Sequence, residues 1–324
     1  MKKIVKIIGA LAAAVVVLIG GGIGYLSATA NFAHPDTPKP AIKASSDPEV
    51  IKEGEYLVHA VAHCSTCHNP GENLEKLKID LTAPLVGGYR WEIGPFGNFT
   101  AKNLTPHETG IGNRTDEELA RVIRHGVGAN GNFYPMMALS VGPMSDEDLT
   151  AVISYLRAQN PVEGERPEPE YGFLAKMLAS KFTPNMKTAP KYVPRGETSV
   201  ERGRYLADGP AMCKKCHTPA DPMKDFAFSG PPYSGVTEPK PDHLDPNYVF
   251  MIPNLTPDEK TGHIAAWSEE DFVKRFKTGR IHAGSKMPWE AFSTMTEEDL
   301  RSIYRYLKTL PPVHNDIGEI RRKI

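Results

Sequence analysis

The sequence has almost no net charge and no cysteine to spare. Its 38 Lys and Arg residues nearly balance 39 Asp and Glu, leaving a formal charge of -1 at pH 7. Without a strong field of one sign, nothing points to nucleic acid or to a strongly acidic partner. The four cysteines are Cys64, Cys67, Cys213 and Cys216, and they fall into two identical patterns. If both patterns are used, none is left for a disulfide, so the cysteine count does not assign a redox compartment. Strict apolar/polar alternation is also missing. That leaves no convincing strand ladder and predicts a mainly α chain, with room for short strands in the loops. Proline is plentiful, with 29 residues, and its places between apolar segments predict long ordered loops.

One long uncharged run is present, at residues 7–28, behind Met1-Lys2-Lys3-Ile4-Val5-Lys6. It has roughly the ~20 residues that span a bilayer. It is longer than the core of a secretory signal, about 7–15 residues. The lysines stand where a cytoplasmic flank carries them, and Gly20-Gly21-Gly22 would make a poor soluble helix. Residues 1–30 therefore read as a membrane anchor. The alternative is a signal removed near Ala28-Thr29-Ala30, and both place the rest outside the cytoplasm. Residues 31–47, polar and Pro-rich, read as a tether.

The remainder reads twice. Gly54-Glu55-Tyr56-Leu57 returns as Gly203-Arg204-Tyr205-Leu206, and Asn103-Leu104-Thr105-Pro106 as Asn254-Leu255-Thr256-Pro257. Met144-Ser145-Asp146-Glu147-Asp148-Leu149 returns as Met295-Thr296-Glu297-Glu298-Asp299-Leu300. The period, about 150 residues, is that of a duplicated domain rather than a solenoid. Each copy predicts three main helices. Asp47-Pro48 starts one. Thr115 with Glu118, and Ser268 with Asp271, are spaced as capping boxes. Ser145 and Thr296 open last helices whose apolar faces are Leu149, Val152, Ile153, Leu156 and Leu300, Ile303, Tyr304, Leu307. Between the copies, Phe173, Leu174, Met177 and Leu178 could share one face of a short amphipathic helix, packed on a domain or lying on a membrane.

Cys64-Ser65-Thr66-Cys67-His68 and Cys213-Lys214-Lys215-Cys216-His217 carry the chemistry. Two cysteines three apart can form thioethers to both vinyl groups of one haem, and the next histidine then sits beneath the iron. The pattern reads as c-type haem attachment. Zinc would want four ligands brought together at shorter gaps, and a thiol-redox pair would want a βαβ setting. Electron-transfer haems take their sixth ligand from His or Met. Met287, in a loop after a Gly-rich turn, is the candidate in the second copy. Met136 and Met137 compete in the first, with Met137 favoured by its Tyr-Pro-x-Met setting. Met144 and Met295, at helix entries, read as core fillers. His59, His63, His125 and His282 are rivals. The first two lie too near the proximal side, and the other two do not align between copies. Trp267 and Arg114 occupy matching places in the two copies, either packing on or hydrogen-bonding a haem edge or packing as ordinary loop residues. Lys214 and Lys215 put positive charge beside the second motif, either as a docking feature or as a solvated pair.

These residues resemble the class I cytochrome c family. More narrowly, they resemble the multihaem cytochrome c subunits of membrane-bound alcohol and sugar dehydrogenases. The shared features are Asn-Leu-Thr-Pro, Gly110-Ile111-Gly112, the acidic helix start, the methionine loop and Met-Ser-Asp-Glu-Asp-Leu. The resemblance implies two tandem cytochrome c domains, residues 48–160 and 197–314. Each has about three core helices around one covalent haem c. A linker, residues 161–196, and a tail, residues 315–324, complete the chain. It implies haem bound by Cys64, Cys67, Cys213 and Cys216, with iron held by His68, His217, Met287 and one of Met136 or Met137. Those subunits often carry three haem domains and this chain has two. The implied function is electron transfer between redox proteins, such as a dehydrogenase or a terminal oxidase, on the periplasmic side of a bacterial inner membrane. The rival is a dihaem peroxidase, which needs one open iron and is disfavoured by two loop methionines. A sensor would need an output domain, for which no residues remain.

Overall fold

The computed structural model describes residues 2–70, 79–134, 137, 143–164, 167–179, 184, 186, 188–221 and 227–324. It is helical, with small sheets in the connecting loops. The first helix, α1 (Lys2–Thr29), contains a stretch, Lys6–Tyr25, of mean hydropathy 2.4, long and apolar enough to cross a membrane. The rest of the chain leaves that stretch uncovered.

In the first copy α2 (Pro48–Tyr56) begins where Asp47 Oδ1 accepts the amide of Glu49 at 2.9 Å. It runs on through a π-turn (Leu57–Val61) into α3 (Ser65–His68). Then come α4 (Asp116–His125), opened by the Thr115–Glu118 capping box, and α5 (Asp146–Ala158), capped by Ser145. The second copy repeats this with α7 (Val200–Asp208), α8 (Cys213–His217), α9 (Glu269–Lys277), α10 (Trp289–Phe292) and α11 (Glu297–Lys308). Both expected capping boxes form. The expected faces of α5 and α11 are buried, apart from half-buried Tyr304, whose hydroxyl donates to the Trp267 carbonyl.

In each copy the first helix crosses the last at a glycine. A β-carbon on Gly54 would stand 1.9 Å from the Ala151 carbonyl oxygen, and one on Gly203 1.9 Å from that of Ser302. Only glycine lets the two backbones approach so closely. The buried apolar side chains of both copies join in one cluster, from Leu57 and Leu149 to Leu206 and Leu307.

The two copies also exchange hydrogen bonds in a reciprocal pattern. Tyr56 Oη donates to Asp299 at 2.7 Å and accepts the Thr296 amide at 3.2 Å. Tyr205 Oη donates to Asp148 at 2.6 Å and accepts the Ser145 amide at 2.8 Å. Arg202, almost wholly buried, forks onto Asp299 at 2.8 and 3.0 Å. The matching position in the first copy is Glu53. There Asp148 draws its guanidinium from Arg195, which also lies 3.5 Å from Glu53.

The sheets lie in the loops. An antiparallel sheet joins β1 (Arg90–Glu92), β2 (Gly97–Thr100) and β3 (Glu170–Tyr171). A pair, β4 (Ala220–Asp221) with β5 (Ala227–Phe228), follows the second motif. A third sheet orders β6 (Val236–Pro241), β7 (Tyr248–Ile252) and β8 (Arg321–Lys323). Residues 315–324 thus run back onto the second copy. Arg321 bonds Asp242 at 2.9 Å and lies 3.6 Å over the Tyr248 ring. The short helix between the copies, α6 (Phe173–Met177), packs on α1 and on the turn Gly94–Phe96. It buries Ala175, with Ala179 just beyond it; of the expected apolar face Leu174 and Leu178 are half-buried, while Phe173 and Met177 are exposed. Small residues allow the close approach to that turn. Phe182 lies outside the described residues.

Candidate haem sites

Each Cys-x-x-Cys-His motif sits on a single helical turn entered through a left-handed residue. His63 has φ 39° and Met212 has φ 56°, both immediately before a cysteine. Such angles are uncommon for residues with a β-carbon, and their recurrence at matching positions marks a turn the motif requires. Behind the motif, the His68 carbonyl accepts the Gly87 amide at 2.9 Å and the His217 carbonyl that of Gly235 at 2.9 Å. Both glycines have positive φ, 71° and 80°, against backbone that leaves no room for a side chain.

The two motif histidines are oriented alike. His68 Nδ1 lies 2.7 Å from the Lys102 carbonyl and His217 Nδ1 2.9 Å from that of Pro253. A carbonyl only accepts, so Nδ1 carries the proton and Nε2 keeps its lone pair for a metal. Burial lowers both imidazole pKa values, His217 to about 4, which keeps them neutral as iron ligands must be. Burial likewise pushes the thiols up, with Cys64 and Cys213 at about 12 and Cys67 at about 11.

Lys102 and Pro253 directly precede the Asn-Leu-Thr-Pro repeats, whose role the structure explains. Asn103 Nδ2 donates to the Val162 carbonyl at 2.8 Å, and Asn103 Oδ1 accepts the Thr105 amide at 2.8 Å. Asn254 does the same to Val313 at 2.8 Å and Thr256 at 3.0 Å. Each asparagine therefore ties the chain leaving the last helix to the loop that orients the motif histidine.

In the first copy these elements enclose a cavity of about 250 Å³. Cys64, Cys67, His68, Met137 and Met144 line it, with apolar walls from Leu104, Ile111, Leu119, Ile123 and Leu156. Arg114, expected near a haem edge, lines it too. Two thiols, a neutral imidazole with a free nitrogen and the thioethers of Met137 and Met144 around an apolar hollow form a donor set that fits a c-type haem. Met136 lies outside the described residues. In the second copy Cys213, Leu255, Trp267 and Met287 pack, partly buried, on the common core. Cys216 is exposed. The Met287 loop is clamped by Arg280, which grips Glu290 through two bonds of 2.6 Å and donates to the carbonyls of Ser285 and, at 3.4 Å, Met287.

The rival ligands are otherwise engaged. His59 uses both nitrogens, with Ser65 at 2.7 Å and Tyr155 at 2.8 Å. His63 packs on Phe292, His125 is buried off the cavity wall, and exposed His282 edges Phe250. Met144 and Met295 are buried, and their carbonyls are taken by Arg124 and Lys277. Trp267 packs at a tilt against His263, with ring centres 5.0 Å apart. Lys214 is drawn to Asp208 at 3.7 Å and lies over Phe228, while burial lowers the Lys215 pKa to about 8. The Arg280 clamp and the two orienting carbonyls were not anticipated from sequence. Only the carbonyls had a signal, the motif they precede.

Residues 49–156 match the family model described as cytochrome c oxidase, cbb3-type, subunit III. The first copy is a cytochrome c domain. Such a domain binds haem c covalently and transfers electrons. The similarity to curated proteins runs through both copies. The fructose dehydrogenase cytochrome subunit of Gluconobacter japonicus is 29% identical over 305 residues, 88% of this chain and 57% of the relative. The cytochrome c subunit of the quinone alcohol dehydrogenase of Gluconobacter oxydans is 28% identical over 316 residues, 91% of this chain and 60% of the relative. A "diheme cytochrome c-type" protein of Cereibacter sphaeroides is 28% identical over 298 residues, 83% of this chain and 90% of the relative. The cytochrome thus resembles the cytochrome c subunits of dehydrogenases, yet spans under two thirds of the first two.

Proposed function

We propose that this chain is a dihaem c-type cytochrome that relays electrons between redox proteins outside the cytoplasm. In this reading residues 48–160 and 197–314 each hold one haem. Cys64, Cys67, Cys213 and Cys216 attach the groups, and His68 and His217 give Nε2 to the irons. Met287 completes the second site and Met137 the first, with Met136 as the alternative. Bound haem supplies one-electron exchange between ferrous and ferric iron. The residues around it fix the imidazole tautomer, exclude water with apolar walls and, through Arg280, hold the Met287 loop. The observation that carries the reading is the repetition at both motifs of one histidine geometry, Nδ1 to a carbonyl with Nε2 left free. Full His/Met coordination leaves no position for a substrate, so the protein acts as a carrier rather than as a peroxidase.

The printed names of the relatives suggest the partners: a dehydrogenase as donor, with a second redox protein or terminal oxidase as acceptor. The anchor α1 would hold the protein at the periplasmic face of the inner membrane. The test is a haem-to-protein ratio with visible spectra during redox titration and under carbon monoxide. Two haems per chain, a sulfur-to-iron charge-transfer band when oxidised and no carbon monoxide binding are expected. Ready carbon monoxide binding would instead reveal an accessible iron and revive peroxide chemistry.

A further inference from the structure

His63 links the two candidate sites. It precedes Cys64 and is turned by its left-handed backbone, and its ring meets Phe292 edge-on, at 5.3 Å and 89° between planes. Both side chains are buried, 8% and 4% exposed. Phe292 closes α10, which begins two residues after Met287. One pair of packed rings therefore separates the first motif from the helix that follows the Met287 loop of the second copy, and the π-turn of the first copy packs on α10 beside it.

What holds the rings together is the reciprocal tyrosine pair. Each hydroxyl donates to a carboxylate of the other copy and accepts a helix-entry amide there, so donor and acceptor are both used. The receiving carboxylates are buried, Asp148 1% and Asp299 5% exposed. Sliding of one copy on the other would take the tyrosine donor from both buried carboxylates at once, leaving Asp148 with Arg195 and Asp299 with Arg202. The two copies therefore have one well-defined arrangement.

We propose that this face is the electron junction of the molecule, with Tyr56 and Tyr205 as its positioning residues and the His63–Phe292 contact as the crossing. The inference rests on the dihaem reading above. In the exchange one electron leaves the reduced site and arrives at the oxidised site. No bond is made or broken and no proton moves, and burial keeps both tyrosines protonated.

The test uses the full chain with haem incorporated, as the parent, as the Tyr56→Phe/Tyr205→Phe double variant and as Phe292→Leu, which keeps the core filled. Haem content and optical spectra come first. Magnetic coupling between the ferric sites and the intramolecular transfer rate after rapid photoreduction follow. The expected result is two haems and parental spectra in every form, with weakened coupling and several-fold slower exchange in both variants. Parental coupling and rate in the two variants would overturn the junction. One haem in the parent would sink the dihaem reading itself, a failure distinct from the first. If the double variant loses haem, Tyr56→Phe alone is read by the same two criteria.

Discussion

At Gly54 and Gly203 a single methyl group would meet a carbonyl oxygen at 1.9 Å, so neither position tolerates one without moving a helix. Gly203→Ala is expected to cost about 3 kcal/mol, the upper end for overpacking, measured by urea unfolding. Met137 is also tested singly. Met137→Leu should abolish the first site's sulfur-to-iron band and lower its potential while leaving the thioethers intact, whereas Met136→Leu should leave the band. Glu53 gives a pH prediction. Burial holds its carboxyl above the ordinary value, although Arg195 opposes this. The folded protein then keeps the proton over a range where the unfolded chain has lost it. Stability of the parent relative to Glu53→Gln should fall as pH rises through that range and be level on either side. A flat difference across pH would show that Arg195 fully compensates.

Among the elements, the helices were legible and the sheets were not. Asp47, Thr115, Ser145, Ser268 and Thr296 announce their helices because a cap is a local hydrogen bond, written within four residues of sequence. The strands are too short to show alternation, and β6 carries Pro239 and Pro241, which sequence rules assign to loops. β8 pairs with β7 across about 70 residues, a distance at which no local signal operates. The site divides the same way. The cysteines, histidines and candidate methionines could be named from spacing. The carbonyls of Lys102 and Pro253 could not, because a backbone acceptor has no residue identity. The asparagine clamps make an element-scale prediction. Asn254→Ala leaves the Thr256 amide without its acceptor and the Val313 carbonyl with only the Thr256 hydroxyl at 3.3 Å, an expected cost of about 1–3 kcal/mol. Denaturant titration measures the loss, and carbon monoxide binding should rise if the loop no longer holds His217.

For the whole molecule, the shared core and the charge cluster of Glu53, Asp148, Arg195, Arg202 and Asp299 predict that both copies unfold in one transition. Arg202→Leu should weaken the hold on the buried Asp299 carboxylate and split that transition in two, seen as two steps in the urea unfolding curve.

The tyrosine exchange has a further meaning. A contact in which position i of one unit meets position j of the other, and j meets i, is the signature of a two-fold axis. Tyr56 on Asp299 and Tyr205 on Asp148 have that form. At this face the two copies therefore meet in a pseudo-two-fold arrangement within one chain. The two sides are not identical: Asp148 pairs with Arg195, which also faces Glu53, while Asp299 pairs with Arg202 on α7. Under the dihaem reading proposed above, this inequality gives the two sites a left and a right, which is what a directional relay requires.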